Sequence, residues 1–147
     1  MSDELLRPTV QGLIGTSEKP WRLTSQAYVA FFGGVLASTT IAVVNARRLG
    51  VPPDKRRLMM LVGGLAFVAA VVVGALLADD GTGAARLGAR VVAVVAILLL
   101  IRLQQPMDRA FVLRNGEYGS LWGPGLLAVF TLGLVEVLVI VALAGAL

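Results

Sequence analysis

The chain of 147 residues is 57% hydrophobic and only 15% charged, with a mean hydropathy of +0.84. Soluble domains run at about 45–50% apolar and about 25% charged, so this composition excludes a soluble enzyme and a disordered chain. The absence of Cys and His removes disulfides, thiolate and imidazole chemistry, and most zinc, haem and iron–sulfur ligation.

What remains is a small integral membrane protein with no expected cofactor. The net charge of +4 and pI of about 10.3 would suggest nucleic acid in a soluble chain. Here the basic residues lie in short loops between apolar stretches, which a bilayer explains, and no nucleic-acid partner is expected. The excess of Arg over Lys, beside much Ala, Gly and Val, fits a GC-rich bacterial genome.

Residues 1–26 are polar and mixed in charge, and read as an uncleaved N-terminal tail. The rest, 27–147, reads as a single membrane domain. Its first apolar stretch, about 27–44, is the least hydrophobic, with Gly33, Gly34, Ser38, Thr39 and Thr40 at its centre. Trp21 and Tyr28 suit headgroup depth, while Gly50 and the Pro52–Pro53 pair end the helix. The second stretch, 58–78, has neither charge nor proline and spans about 31 Å as a helix. An acidic turn at Asp79–Asp80 leads to a third, 84–103, with Arg86 and Arg90 in its first turns. The fourth, 121–147, is broken only by Glu136.

These patterns predict an all-α integral membrane protein, four transmembrane helices in a small antiparallel bundle. Between spans three and four, Pro106 is expected to end or kink the helix. A short interfacial helix and a turn at Asn115–Gly116 then follow. Gln104, Gln105, Asp108 and Arg109 form the densest polar cluster near the surface and read as a docking surface. The positive-inside rule places loops 45–57 and 102–120 in the cytoplasm and both termini outside, in a multi-pass plasma (inner) membrane protein.

Glu136 is the costliest residue, because an acid near the bilayer centre costs several kcal/mol unless paired or neutral. It reads either as a proton or cation site or as an interhelical bond that holds the bundle. The second reading is favoured, with Arg90 or the hydroxyls of Ser38, Thr39 and Thr40 as partners. Arg86 and Arg90 share a helix face and are expected to snorkel to the headgroups. Small residues recur at helix-packing spacing, at Gly33 and Gly34 in the first span and at Ala66, Ala70 and Gly74 in the second.

The functional expectation is a non-enzymatic accessory or assembly subunit of a larger membrane complex, with lipids and other membrane subunits as partners. The alternative is a small transporter or channel that homo-oligomerises around Glu136. A third is a membrane enzyme acting on lipid-linked substrates through Asp79, Asp80 or Asp108.

Overall fold

The computed structural model describes residues 18–78 and 81–144, and these form four helices: α1 (Leu23–Arg48), α2 (Pro53–Leu76), α3 (Thr82–Leu113) and α4 (Trp122–Ala144). Each is apolar and long enough to cross a membrane. The ends follow local chemistry. After α1, Gly50 takes a positive φ of 73°, and the N–H groups of Gly50 and Val51 bond back to the carbonyls of Arg47 and Ala46. Pro53 then starts α2, where its missing N–H costs little. Asn115 ends α3 in the same way, with φ 54°.

The first helix departs from the straight crossing expected. Within α1, Gly34 has φ 81° and ψ −162°, a conformation that is essentially open to glycine alone. Nineteen residues separate Gln26 from Asn45, about 28 Å in a straight helix. Yet both side chains reach the single amide of Gln104, at 3.3 and 3.1 Å, and the N–H of Trp21 donates to Asn45 Oδ1 at 2.6 Å. The helix therefore folds back at Gly34 into two antiparallel arms, 23–33 and 35–48. Their seam is lined by small and branched residues, with Val29, Ala37 and Ile41 in one buried cluster.

This hairpin sits between α3 and α4, whose backbones stay apart. The neighbour packing expected of spans three and four is thus replaced by a wedge. Glycines let it in closely. A Cβ on Gly133 of α4 would stand 3.0 Å from the carbonyl oxygen of Gly33. On the other side α2 closes the bundle, with Ala70 fully buried, Ala66 at the margin of the core, and Gly74 against Ile140 of α4.

Two further expectations are corrected. Residues 18–22 lie against residues 45–48 and 117–119, so that part of the tail and both basic loops share one end of the molecule. Helix α3 continues through Pro106 to Leu113, so among the described residues no separate helix stands between spans three and four. Pro106 is exposed, where water can take the carbonyl that its missing N–H leaves free.

The hairpin tip makes a direct prediction. At Gly34 an added Cβ would overlap the Glu136 carboxylate and strain the backbone, whereas at Gly64 nothing lies within 4 Å. Gly34→Ala is expected to destabilise by about 3 kcal/mol or more. Gly64→Ala should be neutral or slightly stabilising, both measured by thermal unfolding in detergent.

Candidate functional site

The break at Gly34 opens a helix inside the bundle. The second arm begins there, and its first N–H groups have no carbonyl from a preceding turn. The side chain of Glu136 takes them. The N–H of Leu36 donates to its Oε2 at 2.7 Å, and the N–H of Val35 is directed at the same carboxylate. Glu136 is 4% exposed, so the positive end of the half-helix meets a negative charge shielded from solvent.

Depth can be counted along the helices. Fourteen residues separate Trp122 from Glu136, and the same number separates Gln104 from Arg90, about 21 Å in each case. Trp122 and Gln104 belong to the same basic end, so the carboxylate and the guanidinium lie at a common depth. A hydrocarbon core is about 30 Å thick, so a helix crossing it from the basic end would carry both groups inside it.

Glu136, Arg90 and Arg86 line one cavity of about 170 Å³. Its remaining wall includes Gly33, Gly74, Gly133 and Ala89, whose lack of bulk creates the space. Arg90 makes no ion pair with Glu136, and its Nη1 is buried without a hydrogen-bond partner. Arg86 is exposed. The cavity has room for several waters or a small anion, and it runs toward Ala78 and Ala85, away from the basic end. Asp79 and Asp80, expected in the turn there, lie outside the described residues.

None of the hydroxyls expected to serve Glu136 bonds to it. Ser38 donates to the carbonyl of Val35 at 3.1 Å, and Thr40 to that of Leu36 at 2.9 Å. Thr39 packs under Gly63, its Oγ1 buried without a partner.

The opposite, basic end is closed by amides. Trp21, Asn45, Gln104 and Gln26 form a chain of hydrogen bonds, and the three amide side chains are fully buried. Gln104 therefore faces the hairpin and leaves the docking cluster, while Gln105 and Arg109 remain exposed. Asp108 accepts a 2.8 Å bond from the Tyr118 hydroxyl. Burial first, then that bond, push Tyr118 up to about 12, so it stays an O–H donor at physiological pH. Arg48 stacks over Trp21 at 3.9 Å, pairs with Glu18 at 2.7 Å and donates to the Lys19 carbonyl. Lys19 pairs in turn with Glu117 at 2.6 Å, which draws that carboxylate below its usual range.

No protein-family model, curated protein or solved structure matches the chain.

The amide chain sets the second prediction. Asn45→Ala leaves the buried Trp21 N–H without an acceptor and Gln104 Oε1 without a donor, and each such group costs about 1–3 kcal/mol. The variant should melt well below the native protein in detergent. Gln105→Ala, one residue along but exposed, should stay within about 0.5 kcal/mol of it.

Proposed function

We propose that this chain is a small anion-handling membrane protein, a transporter or channel in which Glu136 acts as a tethered anion. One observation carries the reading: a carboxylate occupies the N-terminus of a half-helix inside the bundle, on the wall of a cavity that also holds Arg86 and Arg90. Such helix starts are ready anion sites, because their N–H groups point outward and their dipole favours negative charge. Broken helices whose ends meet at the midplane are a recurrent way to build transport sites. Irregular backbone at that depth is tolerated only inside protein or beside a water-filled cavity.

The mechanism follows from competition. Protonation of Glu136 removes the charge that holds it to the N–H groups of Val35 and Leu36. A small anion entering the cavity then takes those donors, with the unpartnered Nη1 of Arg90 as counter-charge. Proton and anion therefore arrive together, and flux rises as pH falls on the side to which the cavity leads.

The topology proposed with it places the basic end in the cytoplasm and the protein in the plasma membrane. Lys19, Arg22, Arg47, Arg48, Lys55, Arg56, Arg57, Arg102, Arg109 and Arg114 belong to that end, and among the described residues only Arg86 and Arg90 lie toward the other. That asymmetry suits the positive-inside rule. It gives three crossings and a re-entrant hairpin that enters and leaves by the cytoplasmic face.

The accessory-subunit role is the second reading. It is favoured by the closed amide chain at the basic end, which leaves Glu136 a structural task and the cavity a single mouth.

Two measurements test these readings. The chain has no Cys, so single thiols report sidedness. Thiols at residues 19, 54 and 115 should be protected from an impermeant reagent in intact cells, and one at Gly83 should react. Labelling at 19 but not at 54 would remove the re-entrant hairpin. In proteoliposomes, chloride flux should be acid-stimulated; Arg90→Gln should lower it by about tenfold, a loss of about 1.4 kcal/mol, and Glu136→Gln should make it pH-independent. Folded protein without flux, recovered from gentle solubilisation with stoichiometric unrelated subunits, would favour the accessory role.

A further inference from the structure

On the flank away from the cavity, the first arm of α1, the start of α4 and the segment 116–121 enclose an open groove of about 1230 Å³. Its two ends differ in chemistry. At the basic end the lining is Arg22, Ser25, Glu117, Tyr118 and Ser120; further in it is Tyr28, Phe32, Leu126 and Phe130 over a floor of Val29 and Gly125. The aromatic walls are exposed, Phe130 at 72% and Phe32 at 61%. A Cβ on Gly125 would stand 3.3 Å from Val29, so the glycine keeps the floor low.

We infer that this groove binds one anionic phospholipid of the leaflet at the basic end, its phosphate at Arg22 and one acyl chain along the aromatic wall. Charge supports the headgroup. Glu117 is the one carboxylate in the lining and is neutralised by Lys19. Arg22 lies 5.5 Å from the Tyr118 ring centroid and makes no ion pair among the described residues. The mouth thus carries an uncompensated guanidinium, whose planar fork suits a phosphate. Ser25 and Ser120 line the same groove.

Length supports the tail. From Trp122 to Phe130 the wall rises about 12 Å, close to one leaflet of about 15 Å. A partner's spanning helix would need a surface about twice as long. An amphiphile with one charged end matches both the gradient and the depth.

The test titrates the purified full-length protein in mild detergent with phosphatidylglycerol or phosphatidylcholine and counts retained lipids by native mass spectrometry. The native chain should retain one phosphatidylglycerol with about tenfold preference, and Arg22→Gln should reduce the preference to about twofold or less. Arg22→Lys should keep most of it, and Arg109→Gln, which removes the same charge from the same end outside the groove, should keep all of it. Equal retention of the two lipids by the native chain would overturn the proposal, as would equal loss in Arg22→Gln and Arg109→Gln. If Arg22→Gln does not fold, Ser120→Trp, which plugs the mouth, should abolish retention of phosphatidylglycerol; unchanged retention would also overturn it. A co-purifying protein that shields the groove from added lipid would assign the surface to a protein partner instead.

Discussion

A helix that reverses direction inside a bilayer strips several backbone groups of their partners, and each one left bare in hydrocarbon costs several kcal/mol. At Gly34 the Glu136 carboxylate answers that demand. It accepts from the N–H of Leu36 and draws in that of Val35, so two groups that are each unfavourable in the membrane satisfy one another. The acid is tolerable because the helix is broken, and the break is tolerable because the acid is there. Remove either, and the other becomes a buried, unmatched charge or dipole.

The small residues are consequences of this pairing. For a carboxylate on α4 to reach backbone N–H groups on α1, the two backbones must come close, which Gly33 and Gly133 permit. The hairpin's width then separates α3 from α4, and the gap between them becomes the cavity of Arg90 and Glu136. At the basic end, where the antiparallel arms already bring helix ends of opposite sign together, a second clasp joins them. Asn45, Gln104 and Gln26 provide it, with the stack of Arg48 on Trp21 outside.

The apolar stretches and the unusual cost of Glu136 were legible in the residues themselves, because hydropathy and the price of a buried charge are local properties. The weakness of the first stretch and its Gly33–Gly34 pair were visible too, but a straight, protein-covered helix accounts for them equally well. The reversal was not legible, since it depends on a partner a hundred residues away. One signal did point to it. Gln26 and Asn45 are uncharged amides at the two ends of the first span, and once buried each needs a hydrogen-bond partner. Lys19 and Arg22 are a second clue: they weaken the positive-inside asymmetry if α1 crosses, and strengthen it if α1 folds back. Pro106 misled in the other direction, because a proline near an exposed helix end costs far less than one in a packed interior.

The order of the chain adds a constraint on assembly. The hairpin is encoded first and is the least hydrophobic of the four helices, with a window hydropathy of 1.9 against 2.8 for α4. Its cap, Glu136, is encoded last. Until α4 has entered the membrane, the N–H groups at Gly34 have no acceptor, and the reversed conformation is unfavourable in lipid. Conversely, α4 alone carries an acid to mid-depth without a partner. Neither element reaches its final place independently, so hairpin insertion and α4 packing must be one cooperative step. Helices α2 and α3 have no such break at that depth and need no partner of this kind. The hairpin tip is thus tied to α4 through the Glu136 carboxylate, and a change at that carboxylate acts on the whole hairpin.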